Sequence, residues 1–391
     1  MGLRTALSLG LVAVVSAACG GNATPGASGS VEAAATIVHV TITPDGCPPD
    51  PSTIPAGPVT FKVANDGASS ASEVELEQND VVLGEKEDLP PGLSGTFSLV
   101  LAAGTYALSC PGTTAGTASL TVTAASGGAP SNAPAASPSG AVSASTTAAL
   151  AQATVAYAVY VRTQVARLVT STTAFAQAVE AGDVALAKSR YAAPRVFYER
   201  IEPVAESFGD LDLRIDGRAD DAASADAFTG FHRLEQALWV AGDTTGMTPI
   251  ATQLVSDVTQ LQALVASATY QPAQLANGAS ELLDEVASSK ITGEEERYSH
   301  LDLIDFQANV DGAQEAFELL RPALVEIDPA LASTIEGRFT DVDASLQLHR
   351  QGDGFVLYTA LSATDTRTLA QAVDALAEPL SQVAAEVVGN G

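Results

Sequence analysis

Positive charge, histidine, methionine and cysteine are all scarce in this chain, and each scarcity excludes something. The 391 residues include 4 histidines, 2 methionines, 3 cysteines and 1 tryptophan. Lysine and arginine number 18 against 46 aspartates and glutamates, a formal charge of −28. So acidic a chain repels phosphate backbones and anionic lipid, which argues against nucleic-acid partners and suits cationic ligands. Aromatics make up 5% and apolar residues 46%. Much of the apolar share is alanine, which favours close-packed helices over a bulky aromatic interior. Beyond the N-terminus no apolar run is long enough to span a bilayer. Motifs of catalysis are missing too. His232 is followed by Arg233 and no second histidine completes an HExxH zinc-peptidase helix. There is no GxSxG elbow and no glycine loop leading into a phosphate-binding lysine.

What is there begins with an export leader over residues 1–19. Arg4 supplies a positive start, and Ala6 to Val15 form an apolar run too short for a membrane span. The run ends Ser16-Ala17-Ala18-Cys19-Gly20. A cysteine directly after small residues resembles a bacterial lipoprotein cleavage site, with Cys19 as the lipidated first residue. Ser16 stands where such sites usually carry leucine, so conventional cleavage is the competing reading. Residues 20–35 are Gly, Ala, Ser and Thr-rich and read as a tether. Cys47 and Cys110 remain. They read either as a disulfide of an exported domain or as thiolate metal ligands.

From residue 36 to 124 the chain reads as a small all-β sandwich. TIVHVTIT, VTFKV, VELE, GTFSLVL, GTYALSC and TASLTVT are short, β-branched or aromatic, and separated by Gly, Pro, Asn or Asp. Residues 125–146 form a Pro/Ser/Ala linker. Over 147–391 the period becomes helical and the pattern predicts an all-α bundle, or two in tandem. A long helix is expected to about 181, stopped by Gly182. Asp183 is expected to cap the next helix, kinked or broken at Pro194 and Pro203. Further helices are expected near 221–241, 248–268, 272–289, 301–320, 328–350 and 364–388.

Within GFHRLEQALW, His232 and Glu235 lie three apart and share a helix face. An imidazole and a carboxylate at that spacing suit a metal ion in a bundle, although a solvated pair has the same spacing. Upstream, Glu199, Glu202 and Glu206 form an acidic stripe, and DLDLRIDGR adds Asp210, Asp212 and Asp216. Carboxylates with one imidazole suit iron better than zinc or copper(I). A third acidic block, Glu294 to Glu296 with Asp302 and Asp305, is expected to cap a helix and pair with Arg297 rather than bind metal. In the β domain Glu73, Glu75, Glu85 and Glu87, with Cys47 and Cys110, are candidates for a second metal site. His39 reads as a structural histidine.

Several long stretches, taken together, carry a resemblance. They are RVFYERIEPVAESFGDLDLRIDGR, FTGFHRLEQALW, ASSKITGEEERYSHLDLIDFQANVDGAQ and LLRPAL, with DGCPP, EVELE and YALSCP in the β half. The sequence resembles the EfeO-type iron-uptake lipoproteins, in which a cupredoxin-like domain precedes an imelysin-like (peptidase M75-like) helical domain. The resemblance implies an extracytoplasmic iron-binding protein at the cell membrane or in the periplasm, part of an EfeUOB-like system with an iron permease and a haem peroxidase. Its G-x-H-x-x-E motif falls on Gly230, His232 and Glu235. Glu199 and Asp216 are the next expected ligands, and Glu202 and Glu206 are substitutes. The β domain has one histidine and no methionine, against the blue-copper pattern. A carboxylate-rich ferric or Cu2+ site fits it better. The bound ion is expected to be iron, with Cu2+ or another divalent cation as the alternative. The competing functions are a metal-dependent peptidase and a polysaccharide-binding adhesion lipoprotein.

Overall fold

A computed structural model of the chain describes residues 35–389, apart from 80, 125–142, 223, 225 and 226. The leader with Cys19, nearly all of the tether, most of the linker and the Glu206 side chain lie outside the described residues.

The β half comprises β1 (Thr36–Ile42), β2 (Pro49–Asp50), β3 (Thr53–Pro55), β4 (Gly57–Asn65), β5 (Val74–Gln78), β6 (Val81–Lys86), β7 (Ser94–Leu101), β8 (Gly104–Ser109) and β9 (Thr117–Thr123). They form two sheets, ordered β2-β1-β4-β7 and β3-β9-β8-β5-β6. β1 runs parallel to β4 and β3 to β9, and the other pairs are antiparallel. Period-two alternation fills the space between the sheets. In β1, Val38, Val40 and Ile42 are buried while Ile37, His39 and Thr41 face out, so His39 is not a core histidine. Phe61 stacks on Phe97 across the β4–β7 pair, ring centroids 4.6 Å apart. Cys47 and Cys110 are both buried and joined in a disulfide. Sulfurs bonded to each other are not thiolates, so the metal-ligand reading of this pair is corrected.

The helical half contains α1 (Ala144–Glu180), α2 (Val184–Glu199), α3 (Asp210–Asp216), α4 (Gly230–Gln236), α5 (Thr248–Val265), α6 (Pro272–Ser288), α7 (Asp302–Ile327), α8 (Pro329–Gln347), α9 (Ala363–Leu380) and α10 (Val383–Gly389). α1 starts within the stretch expected to be linker, because the Ser143 side chain caps it by accepting from the Thr146 amide at 3.0 Å. Asp183 caps α2 through the Leu186 amide at 2.9 Å.

Several helix expectations need correction. Pro194 sits inside α2 without ending it, and the break comes after Glu199, where two short 3₁₀ turns carry Glu202–Val204 and Glu206–Phe208. The stretch expected as helix from 221 is helical only from Gly230 and ends in a π turn over Ala237–Ala241. The last expected helix divides into α9 and α10 just past Pro379. A small antiparallel ribbon, Arg350–Gln351 with Gly354–Phe355, interrupts the all-helical half. α1 packs on α2, α5 and α7, while α6 packs on α7 and α9. α7 packs on α1, α2, α6 and α8, and so joins the two groups of helices.

α6 docks this bundle on the sandwich. β6 and β7 are edge strands of their sheets, and exposed edges invite unwanted pairing unless covered. Asn277 of α6 covers β7 as a strand would, its Nδ2 donating to the Ser98 carbonyl at 2.9 Å and its Oδ1 accepting from the Ser98 amide at 3.5 Å. Lys86 at the end of β6 pairs with Glu281 at 2.7 Å and Asp284 at 3.1 Å, both on α6.

Candidate metal centre

The site is built where four pieces of chain meet: the C-terminal half of α2, the end of α3, the start of α4 and the loop before α7. Gly230 makes the α3–α4 meeting close. Its φ is +72°, and a Cβ there would lie 2.2 Å from the Ile215 carbonyl oxygen. Only glycine tolerates both the left-handed backbone and that approach. His232 is thereby set beside Asp216, the last residue of α3.

His232 is 2% exposed. Its Nδ1 lies 3.2 Å from Glu235 Oε2, and the other Glu235 oxygen accepts the Tyr298 and Ser299 amides at 2.8 and 2.6 Å. The motif's two residues therefore differ in their surroundings. Glu235 is fastened to backbone and orients the ring, as carboxylates behind metal-bound histidines do. The imidazole presents Nε2, 3.5 Å from Asp216 Oδ1 and 3.4 Å from Glu295 Oε1. Nε2 is buried and makes no hydrogen bond, while Asp216 Oδ1 is buried against the Arg195 guanidinium. Buried polar atoms rarely stay unsatisfied, so a ring nitrogen and two carboxylate oxygens facing one point fit a cation.

Among the described residues a second such triad, Glu199, Glu295 and Asp305, shares Glu295 with the first. The third acidic block is thus not mainly a capping block. Asp302 ties the preceding loop to α7 by accepting the Glu296 amide at 3.1 Å without capping the helix, and Glu295, Glu296 and Asp305 turn inward and are buried. Arg297 pairs instead with Asp220 at 2.6 Å. Glu202 lies on the far side of the cluster, 2.5 Å from Lys290 Nζ, and Glu199 Oε2 is 3.4 Å from the same ammonium.

Sequence reasoning missed the cations. Arg195 and Lys290 are both buried among these acids. Arg195 lies four residues before Glu199 on α2, and that spacing was the available signal. Lys290 had little, because Glu199 and Glu202 are about ninety residues away and only Glu285, 3.5 Å off, is near it in sequence.

Burial opposes ionisation of Glu295, but Lys290, His232 and Arg195 overcome it and hold the carboxyl well below its usual range. For His232, burial and Arg195 work against protonation, yet Glu235 and Glu295 outweigh them and raise its pKa.

A cavity of about 900 Å³ between the domains reaches this centre. Asp216, Glu285 and Glu295 line it on the helical side, and Glu73, Glu75 and Glu87 on the β side. Burial, then Glu73 and Glu77, push Glu75 up to about 7. Glu85 faces Glu75 across the β5–β6 ladder but is not part of that lining. The six candidates for a second site are therefore divided, with three on the cavity wall, one across the ladder and two in the disulfide.

Comparison with known proteins agrees with the architecture. The imelysin (peptidase M75) family model matches residues 153–383 and the cupredoxin-like domain model residues 9–122. The chain is 40% identical over 383 residues to "Iron uptake system component EfeO" of Escherichia coli K12, covering 97% of this chain and 96% of that protein. The Shigella flexneri protein of the same name matches to the same extent. A crystal structure described as an iron-regulated protein A precursor from Parabacteroides distasonis superposes with a TM-score of 0.51. It covers 63% of this chain and 97% of that one at 17% identity, a likeness of fold alone.

Proposed function

The chain belongs to the imelysin family, in the two-domain cupredoxin–imelysin form of its EfeO relatives, and we propose from that premise that it is an iron-binding component of an iron-uptake system. In this reading it works outside the cytoplasm, captures iron at the His232 centre and passes it to a membrane permease, with a haem peroxidase in the same system. Anchoring through Cys19 is part of the proposal. Among the described residues no helix is long and apolar enough to cross a membrane.

One observation carries the reading: the buried His232 Nε2, which makes no hydrogen bond, faces Asp216 Oδ1 and Glu295 Oε1, and both carboxylates line an acidic cavity. Iron is the cargo here. His232, Asp216 and Glu295 would hold it, Glu235 would keep the ring oriented, and Glu199 would support the cage from the second triad. The cavity's acidic walls would concentrate cations at its mouth. Hydrolysis has less support. A peptidase of this kind needs a carboxylate base beside the metal, and both oxygens of Glu235 are already engaged.

Calorimetric titration of the full chain with Fe2+ under anaerobic conditions tests the proposal. Wild type should bind near one equivalent at this centre, and His232→Ala and Asp216→Asn should lose it. Undiminished binding in both variants would refute the site. Cu2+ binding tighter than iron at the same residues would refute the choice of ion.

A further inference from the structure

Arg195 is completely buried, and its guanidinium lies inside the acidic cage rather than at its rim. Nη2 contacts Glu199, lies 2.7 Å from Glu295 Oε1 and 3.5 Å from Asp305 Oδ2. Those three carboxylates are the second triad. The second triad thus already holds a cation, and it is part of the protein. Nη1 lies against Asp216, and Nε is 3.0 Å from Glu296 Oε1. The face of Phe231, 5.6 Å from the guanidinium carbon, closes one side.

Two of these contacts reach into the first triad. Glu295 Oε1 is a single oxygen placed 2.7 Å from Arg195 Nη2 and 3.4 Å from His232 Nε2. Asp216 Oδ1 likewise touches Arg195 and faces the ring. A cation between Asp216, His232 and Glu295 must share both carboxylates with a fixed positive charge a few ångströms away. The guanidinium meanwhile keeps Glu199, Glu296 and Asp305, none of which contacts His232. It can yield two partners without becoming an unpaired buried charge, which would be costly.

We propose that Arg195 is a resident counter-cation that keeps the empty cage together and competes with the bound ion for Asp216 and Glu295, so that the site holds its cargo loosely enough to release it. Arg195 acts through those carboxylates and is a positioning residue, not a ligand. The inference rests on the metal-binding reading above. It differs from it in predicting that removal of a cage residue strengthens binding. Without Arg195 the carboxylates repel one another in the empty state and meet an incoming ion without a competing charge.

The test uses the full chain, Fe2+ under anaerobic conditions, and three readouts: calorimetric affinity, stopped-flow release to a chelator, and melting temperature with and without iron. Arg195→Gln should bind at least tenfold tighter than wild type and release iron more slowly. Its iron-free form should melt lower, and iron should raise its melting temperature by more than it raises that of wild type. Should Arg195→Gln fold only when iron is added, that result also supports the proposal. Should it fold under neither condition, the paired variant Arg195→Gln/Glu199→Gln decides, since it removes both charges together. Affinity at or above wild type in the pair supports the proposal, and affinity below it overturns the idea. A folded Arg195→Gln that binds no tighter than wild type overturns this inference alone. A wild-type chain that binds no iron overturns the functional reading as well.

Discussion

Glu235 and His232 are joined side chain to side chain, Oε2 to Nδ1 at 3.2 Å, and the opposite oxygen of Glu235 is held by two backbone amides. The pair behaves as one oriented donor. Glu235→Gln should keep the fold and lower iron affinity about 10- to 100-fold, the usual cost of losing a carboxylate behind a metal-bound histidine. His232→Ala should lose far more. Equal losses measured by calorimetry would mean that Glu235 is itself a ligand.

Gly230 sets the approach of α4 to α3. Gly230→Ala would force a Cβ to within 2.2 Å of a backbone oxygen at a φ of +72°. The expected cost is above about 2 kcal/mol in chemical denaturation. Iron affinity should fall with it, because His232 is displaced from Asp216. A variant with an unchanged denaturation midpoint would show that this junction is not tight.

Asn277 is one polar link between the two domains, with its side-chain amide on the Ser98 backbone. Asn277→Ala strands a buried carbonyl and amide, at about 1–3 kcal/mol. Thermal unfolding should show the loss, and the β-domain transition should move away from that of the helical domain. Coincident, unshifted melting would count against this account of the interface.

Stability should depend on pH through Glu281. Burial raises its carboxyl from 4.5 to about 7, and the pull of Lys86 does not compensate. Burial of Lys86 also disfavours its charge, but Glu281 and Asp284 outweigh that and keep it protonated. A carboxyl whose folded pKa lies above its unfolded one favours the fold when protonated. That contribution is complete below about 4.5 and is lost as pH rises through about 7. Glu281→Gln should therefore flatten the decline in stability between those two values. Denaturation midpoints at pH 5 and pH 8 measure it, and an unchanged slope in the variant would exclude Glu281 as the source.

The Cys47–Cys110 bond closes a loop of 63 residues of the sandwich. Reduction should cost about 4 kcal/mol on the chain-entropy account, confined to the β domain. Melting in a reductant should lower that domain's transition and leave iron binding by the helical domain intact. Loss of iron binding on reduction would place a needed ligand in the β half.

Local rules made much of this protein legible. Alternation over TIVHVTIT and the change to a helical period after the linker mark a sandwich and a bundle, because each period describes one buried face. Asp183 began its helix through a bond to the Leu186 amide, and Gly182 ended α1. His232, Asp216 and Glu199 were readable as metal-type residues from their chemistry and their place in long matching stretches. Of the two prolines expected to kink or break the helix, Pro203 lies in the 3₁₀ turn that follows α2, while Pro194 stays inside α2, since a proline inside a helix is tolerated where packing holds the chain on either side.

Tertiary structure decided which of those residues meet. Glu295, expected to cap a helix, lies with Asp216 beside a histidine 63 positions earlier. Glu235 bonds the same ring through one oxygen and the backbone amides at residues 298 and 299 through the other. Arg195 and Lys290 become the cations of an acidic core only when α2, α6 and the loop before α7 converge. Sequence patterns report which face of an element is buried, because burial repeats with the period of the element. Which charge meets which inside the bundle depends on distances between elements far apart in the chain, and no local period encodes those.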